Sequence, residues 1–179
     1  MTVFAPFEPH ARGTRDPALE VRPARADDGA AVAEVAATRG APGLDVRAGL
    51  PTWVADPDRL VVVAEADGAV VGWAMVAPWT RPGAEAGPHV SALTVHPAHR
   101  RRGAGDRMLA ALTQWTWDRA DVLWSVVNAR NEASLALHRR HGFVRVRAVG
   151  EYAGVTFDGG RGVLLRVRRR EAAADEGAT

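Results

Sequence analysis

The segment 93–106 constrains the fold more than any other part of the sequence, because it joins a strand, a loop and a helix within fourteen residues. Its sequence is LTVHPAHRRRGAGD, in which an apolar alternation stops at Pro97 and an arginine- and glycine-rich stretch follows. After Gly103, apolar residues recur at helical spacing: Met108, Leu109, Leu112 and Trp115. A strand that runs so directly into an amphipathic helix predicts a sheet with helices packed on it.

Apolar patterns predict further elements on both sides of this segment. Two alternating stretches flank Asp67-Gly68, a strong hairpin signal. Strands are predicted at 19–25, 60–65, 69–76, 89–95, 122–127, 143–149 and 163–167, and helices at 28–39, around 46–50, from 103 and at 132–140. The last two strands are expected to flank a turn at 158–160. The first half of the chain has strands joined as hairpins, and in the second half strands alternate with helices. This order predicts an α/β fold of the α+β type, with a mixed, mostly antiparallel sheet flanked by helices.

The chain of 179 residues is long enough for one domain with a substantial core. We expect that domain to span residues 19–170, between a flexible N-terminal arm at 1–18 and a disordered tail at 171–179. No apolar run approaches membrane-spanning length, and the first residues lack the apolar core of a signal peptide. The absence of cysteine excludes disulfides, thiolate metal sites and a cysteine nucleophile. These features predict a cytoplasmic protein.

Charge is distributed unevenly along the chain, although its net value is only +2. All 23 basic residues are arginine, which stays protonated to very high pH, so the pI of about 10.2 does not indicate a strongly basic surface. Residues 1–99 contain 8 arginines and 12 acidic residues, whereas residues 100–179 contain 15 and 9. An anionic ligand is therefore expected on the second half.

The loop at 100–106 has the composition of an anion site. Backbone N–H groups at a helix start attract anions, and glycine lets the backbone approach a phosphate closely while arginine adds charge-assisted hydrogen bonds. A nucleotide-binding P-loop is excluded because the chain has no lysine, and a dinucleotide fingerprint is excluded because Met108 stands where its third glycine belongs. A solvated turn at a helix start remains the alternative.

A second informative segment is 128–143, NARNEASLALHRRHGF, which begins after a predicted strand. It contains both asparagines of the chain, Asn128 and Asn131. Asparagine is a common helix cap, which is the simplest explanation. A side-chain amide that donates and accepts also suits a ligand that carries amides.

Together the two segments resemble motifs of the GNAT superfamily of N-acetyltransferases. Arg100-x-x-Gly103-x-Gly105 resembles the loop that binds the pyrophosphate of acetyl-CoA, and Asn131-x6-His138-x3-Gly142-Phe143 resembles the motif that follows. The resemblance implies the GNAT acyl-CoA transferase fold, acetyl-CoA as cofactor and direct transfer of acetyl from the thioester to an amine. It implies a cofactor site formed by Leu93, Thr94, Val95, Arg100, Arg101, Arg102, Gly103, Ala104, Gly105, Asp106, Asn131 and His138.

The stretch Asn131-x-x-Ser134-x-x-Leu137-His138 is similar to the branch that acetylates phosphinothricin and methionine sulfoximine. Most of the superfamily has tyrosine at position 138. Acyl transfer needs a proton for the leaving thiolate and a base for the ammonium substrate. We expect His138 to supply the proton and His89, on the strand before the loop, to act as the base. Other base candidates are Glu85, Glu151 and a chain of water molecules.

The expected reaction is acetylation of a primary amine on a small molecule, such as an amino acid-like compound or an antibiotic. Trp53, Trp73, Trp79 and Tyr152 are candidates for lining the acceptor pocket, although a core role is the safer interpretation of Trp73. A catalytically silent acyl-CoA-binding module and an enzyme that acetylates a protein or peptide amine remain alternatives. No metal is expected. Neither a nucleic acid nor a membrane is expected as a partner, and a homodimer is an open option.

Overall fold

A computed structural model describes residues 14–39 and 45–169 of the chain. The strands are β1 (Glu20–Pro23), β2 (Leu60–Ala66), β3 (Ala69–Pro78), β4 (Pro88–Val95), β5 (Val122–Asn128), β6 (Val144–Val149), β7 (Glu151–Tyr152), β8 (Val155–Thr156) and β9 (Gly162–Arg168). The helices are α1 (Gly29–Ala37), α2 (Val46–Ala55), α3 (Ala104–Trp117) and α4 (Glu132–Arg140), with short 3-10 turns at Ala26–Asp28 and Pro97–His99.

Seven strands form one sheet in the order β1-β2-β3-β4-β5-β9-β6, and β7 pairs with β8 in a separate two-stranded sheet. All neighbours in the large sheet are antiparallel except β4 and β5, which are parallel and connected through α3. The expected mixed, mostly antiparallel sheet flanked by helices is therefore confirmed.

Both faces of the sheet are covered by apolar packing. On one face, α3 contributes Met108, Leu109 and Leu112, all with no exposed surface, to the largest buried cluster. On the other face, α1 and α2 pack over β2 and β3, while the aromatic residues of β5 and β7 form a smaller cluster. Burial of each large apolar side chain of α3 contributes about 1.5–3 kcal/mol of transfer free energy, which fixes this helix on the sheet.

Several local predictions are confirmed and others are corrected. The β2–β3 turn has positive φ at Asp67 (51°) and Gly68 (76°), as a two-residue hairpin turn requires. Helix α2 extends five residues beyond the predicted 46–50 and contains Pro51 in its interior. Asp27 or Asp28 was expected to cap α1, but the helix has no side-chain cap, and the carboxylate of Asp28 accepts hydrogen bonds from Arg22.

The predicted pair of C-terminal strands is correct, but a turn alone does not connect them. The two-residue strands β7 and β8 form a hairpin between β6 and β9, and they are too short to show an alternating pattern. Among the residues that the structure describes, no helix is long and apolar enough to cross a membrane. The predicted tail at 171–179 and most of the predicted arm at 1–18 lie outside the described residues.

Candidate active site at the gap between β4 and β5

The parallel strands β4 and β5 pair over only two residues each, His89 with Trp124 and Val90 with Ser125. Beyond Val90 the two strands separate, while β4 stays paired with β3 and β5 with β9. A bulge at Ser91 marks the start of the separation, because β3 pairs with the residues on either side of it. The sheet thus opens a gap toward the carboxyl ends of both strands, the usual place for a ligand in parallel sheets.

The three predicted cofactor residues on β4 line this gap or lie beside it. Leu93, Thr94 and Val95 all lie beyond the last β4–β5 pair. Thr94 is buried against β3, and its hydroxyl is 3.5 Å from the guanidinium of Arg39. The carbonyl oxygen of Val95 accepts a hydrogen bond of 3.3 Å from Nε of Arg100. A strand edge with unpaired backbone groups can bind an extended, amide-bearing ligand as an additional strand.

The predicted anion loop lies at the end of β4, and its backbone has the required conformation. Gly103 precedes α3 with φ of 93° and Arg101 has φ of 65°, so the chain turns twice through the left-handed region before the helix begins. No side chain caps α3. Ala104 and Gly105 begin the helix, and a Cβ on Gly105 would lie 3.2 Å from the side chain of Leu137 on α4. The N–H groups of this first turn have no intrahelical partner, and such groups at a helix start attract anions.

Positive charge is concentrated beside this helix start. Arg100, Arg101 and Arg102 line an open cavity of about 560 Å³ together with residues 14–17. Asp16 is an acidic member of this lining, and its carboxylate is 3.8 Å from Nη1 of Arg102. A cavity of this size with an excess of arginine suits an anionic ligand.

Asp106, predicted to belong to the cofactor loop, lies in the first turn of α3, and its side chain contacts the end of α4. Its carboxylate is 3.1 Å from Nε2 of His141 and accepts a hydrogen bond of 3.2 Å from Arg140. Partial burial raises the pKa of Asp106, but the hydrogen bond from His141 and the charge of Arg140 outweigh it, so the pKa lies below its ordinary value. Asn131 caps α4, since its side-chain oxygen accepts a hydrogen bond from the N–H of Ser134.

His138 lies on α4 and is buried beneath the closed end of the gap. Its Nε2 is 3.0 Å from the hydroxyl of Ser125, and its Nδ1 is 2.8 Å from the carbonyl oxygen of Ser134. A carbonyl can only accept, so Nδ1 carries the proton and Nε2 accepts from Ser125. Burial lowers the pKa of His138 to about 4, and the ring is therefore neutral at neutral pH.

His89 lies at the same end of the gap but on the opposite face of the sheet. Its Nδ1 donates to the carbonyl of Gly87 at 3.0 Å, and its Nε2 is 2.9 Å from the hydroxyl of Tyr152. That hydroxyl also accepts the N–H of Glu85 at 2.8 Å, so it donates its own proton to His89. His89 has no exposed surface, and burial lowers its pKa.

An aromatic cluster surrounds His89. The ring of Trp79 stacks on it at 4.8 Å, and Trp124 stacks on it at 6.4 Å. Trp79 also donates from its indole nitrogen to the hydroxyl of Ser91 at the bulge, at 2.7 Å. Trp79 and Tyr152 both contact His89, and their role in lining an acceptor pocket stays a prediction.

Charged side chains border this cluster. The guanidinium of Arg81 lies 5.7 Å from the ring of Trp79, and that of Arg147 lies 5.8 Å from the ring of Tyr152. Glu85, one of the alternative bases, pairs with Arg147 at 3.4 Å. Glu151, the other alternative, is exposed on β7.

Trp53 and Trp73, the other two candidates for lining the acceptor pocket, lie in a different cluster from Trp79 and Tyr152. Trp73 is buried, and its ring stacks on that of Trp53 at 6.4 Å within the apolar cluster under α1 and α2. These two tryptophans therefore belong to the packing of that cluster. Sequence reasoning missed Ser125, because a serine inside an apolar strand carries no motif and its partner lies on another element.

The sequence profile of the Acetyltransferase (GNAT) family matches residues 32–143. The chain therefore belongs to the GNAT family of acetyltransferases. The acyl donor of this family is acetyl-CoA, so the cofactor expectation is confirmed at the level of the family.

Two curated relatives are mycothiol acetyltransferases. The protein of Saccharopolyspora erythraea is 37% identical in an alignment 101 residues long that covers 48% of this chain and 31% of the relative. The protein of Geodermatophilus obscurus is 32% identical over 117 residues, which are 65% of this chain and 31% of the relative. The matched region thus spans about a third of the length of these relatives.

Solved structures share the fold. The Salmonella typhimurium protein yncA, solved with its cofactor acetyl-CoA, superposes with a TM-score of 0.73 at 22% identity, covering 90% of this chain and 99% of the other. A phosphinothricin acetyltransferase of Sinorhizobium meliloti, solved in complex with acetyl-CoA, gives 0.69 at 19% identity, covering 90% and 94%. These likenesses confirm the expected fold.

Proposed function

We propose that this chain transfers an acetyl group from acetyl-CoA directly to the primary amine of a small molecule. The proposal rests on the arrangement of side chains at the closed end of the gap, where β4 and β5 are still paired. There, two successive residue pairs join the strands, His89 with Trp124 and Val90 with Ser125. The side chain of His89 lies on one face of the sheet, and that of Ser125 lies on the other face, where it contacts His138. A thioester in the gap would thus have one buried histidine on each side.

The residues of the gap and loop fit acetyl-CoA. The unpaired edge of β4 over Leu93–Val95 would hold the amide-bearing pantetheine arm, and the N–H groups from Gly103 to Gly105 would hold the pyrophosphate. Arg100 and Arg102 add positive charge at that end. When bound, acetyl-CoA supplies an activated acetyl group, so the chain itself needs no nucleophile.

On the face of the aromatic cluster, His89 acts as a base through Tyr152. Both ring nitrogens of His89 are occupied, so a proton reaches Nε2 only when the Tyr152 hydroxyl passes it on. The amine gives a proton to the oxygen of Tyr152, and Tyr152 gives its own proton to Nε2. His89 then carries one positive charge, and its Nδ1 proton stays on the carbonyl of Gly87.

On the opposite face, His138 is the candidate proton donor to the leaving sulfur. In the structure its ring is neutral, because burial lowers its pKa to about 4. A negative charge developing in the same buried site favours the imidazolium form and raises that pKa. His138 would therefore take up a proton from water at Nε2 as the charge develops and give it to the sulfur through the Ser125 hydroxyl, which is 3.0 Å from Nε2.

A small acceptor is supported by the border of the aromatic cluster. Arg81 lies beside the ring of Trp79 and Arg147 beside the ring of Tyr152, and Arg147 also pairs with Glu85. This mixture of charges suits an amine that also carries an acidic group. The names of the curated relatives, mycothiol acetyltransferases, are consistent with a small acceptor.

The test is release of free thiol from acetyl-CoA with a panel of amines that includes methionine sulfoximine, aminoglycosides, polyamines and short peptides. We expect release with a small amine. In Tyr152→Phe, kcat should fall by about 10²-fold or more, because the proton path to His89 is broken. The affinity for acetyl-CoA should stay unchanged, since Tyr152 does not line the loop cavity.

Three outcomes would contradict the proposal in whole or in part. Binding of acetyl-CoA without thiol release for any amine would favour the silent binding module. Release with peptides alone would keep the acetyltransferase activity but overturn the small-molecule acceptor. If Tyr152→Phe keeps the full kcat, the base on this face is another group, such as Glu85.

A further inference from the structure

The N-terminal segment at residues 14–19 lies against the anion loop, although it precedes the region matched by the family profile, 32–143. The sequence assigned residues 14–18 to a loose arm. In the structure, residues 14–17 form one wall of the cavity whose other wall is the three consecutive arginines Arg100–Arg102. This segment is therefore in a position to contact whatever binds at the loop.

Backbone hydrogen bonds hold the segment in place. The N–H of Asp16 donates to the carbonyl of Arg102 at 3.2 Å. From the first turn of α3, the guanidinium of Arg107 donates to the carbonyls of Leu19 and Asp16. These contacts join the segment to Arg102 in the loop and to Arg107 in the first turn of α3, and they do not use the side chain of Arg15.

Arg15 is the member of this segment that faces the helix start. A Cβ built on Gly103 would lie 3.7 Å from Cγ of Arg15, so the arginine passes directly over the glycine that begins the anion site. Its side chain is exposed and lines the cavity. With Arg15, four arginines and one aspartate line the cavity, a net excess of positive charge.

The lining of the cavity indicates which phosphate Arg15 would meet. The gap between β4 and β5 leads to the first turn of α3, whose N–H groups would hold the pyrophosphate, and the cavity is lined by residues 14–17 and 100–102 without Gly103–Gly105. An extended ligand that starts in the gap therefore passes the first turn of α3 and places its next phosphate in the cavity beside Arg15. In coenzyme A, the pantetheine, the pyrophosphate and the ribose 3′-phosphate follow one another in that order.

We propose that Arg15 binds the 3′-phosphate of coenzyme A, so that the N-terminal segment selects the phosphorylated cofactor. This inference rests on the proposed function, because it takes coenzyme A as the ligand of the gap. An arginine beside a phosphate monoester forms charge-assisted hydrogen bonds that a 3′-hydroxyl cannot replace. Arg15 is then a specificity-determining residue outside the family domain.

The experiment is calorimetric titration of the full chain with coenzyme A and with dephospho-coenzyme A, which lacks only the 3′-phosphate. The wild type should bind coenzyme A more tightly. Arg15→Ala should weaken binding of coenzyme A by about tenfold and leave dephospho-coenzyme A within about twofold, because only one charge-assisted contact is removed. Arg15→Lys should keep part of the preference, since it keeps the charge.

Arg168→Ala is the matched control, because Arg168 is an exposed arginine on β9 that does not line the cavity. It should change neither affinity. Equal loss for both ligands in Arg15→Ala, or no loss for either, would overturn the role of Arg15. If the wild type binds neither ligand, the proposed function fails together with this inference, whereas tight binding without a preference overturns this inference alone.

Discussion

At the scale of single residues, hydrogen bonding decides what the two buried histidines can do. Each ring donates from Nδ1 to a backbone carbonyl and accepts at Nε2 from a hydroxyl, that of Ser125 for His138 and that of Tyr152 for His89. This arrangement fixes the neutral tautomer of both rings. A proton can therefore reach or leave Nε2 of each histidine only through a hydroxyl of another element.

The candidate acid can be tested by substitution and by pH. His138→Phe should lower kcat by about 10²–10⁴-fold with acetyl-CoA affinity nearly unchanged, as is usual for a positioned acid. His138→Tyr should recover part of kcat, because the phenol can also donate. Since burial lowers the pKa of His138 to about 4, kcat/KM of the wild type should show no inflection near pH 6.5 that depends on His138.

Steady-state kinetics from pH 5.5 to 9 would check this prediction. An inflection near pH 6.5 that disappears in His138→Phe would show that the free enzyme holds His138 in a wetter environment than the structure does. If His138 only packs against Phe143, the Phe variant should retain kcat within a few-fold, which would remove it from the chemistry.

At the scale of elements, the sequence predicted those parts of the site that depend on local backbone chemistry. The loop at 100–105 was recognisable because its glycines and arginines are adjacent in sequence, and its left-handed turns are a local property. The bounds of α4, Glu132–Arg140, were also predicted correctly, from its Asn131 cap and its basic last turn. The hairpin β7–β8, which brings Tyr152 to His89, was not predicted. Its strands have two residues each and are too short to show an alternating hydrophobic pattern.

The loop itself gives a prediction at this scale. Gly103→Glu should abolish measurable acetyl-CoA binding, because it places a carboxylate at the helix start and forces a side chain into a backbone with φ of 93°. Gly68→Glu is a matched control, since Gly68 has φ of 76° and a Cβ there would meet nothing within 4 Å. The control should show a similar backbone strain but normal binding by calorimetry. Unchanged affinity in Gly103→Glu would contradict the assignment of the loop.

At the scale of the whole molecule, the gap exists because the two halves of the sheet meet at only two residue pairs. Antiparallel β1–β4 and the group β5-β9-β6 are each well paired internally, and α3 connects them on one face. The sequence predicted every strand of both halves, but it carried no signal for where their pairing stops, because register between distant strands is set by tertiary packing. The positions of Ser125 and Trp124 beside the two histidines follow from that register.

Burial of the two histidines also predicts how the stability of the molecule depends on pH. The pKa of His138 is about 4 in the folded protein and 6.5 when unfolded, so the unfolded state binds more protons between these values. Stability should therefore be lost as pH falls from about 6.5 to 4, by about 3 kcal/mol from His138, with His89 acting in the same direction.

Urea unfolding at intervals of pH would measure this loss of stability. His138→Phe should be less stable at pH 7, because the Ser125 hydroxyl loses its partner, but its stability should fall less steeply with acid, so that the two curves approach each other near pH 4. Parallel curves over this range would mean that His138 is not buried as a neutral ring. Loss confined to pH below 4 would instead point to carboxylates such as Asp28, whose pKa the hydrogen bond from Arg22 holds below its ordinary value.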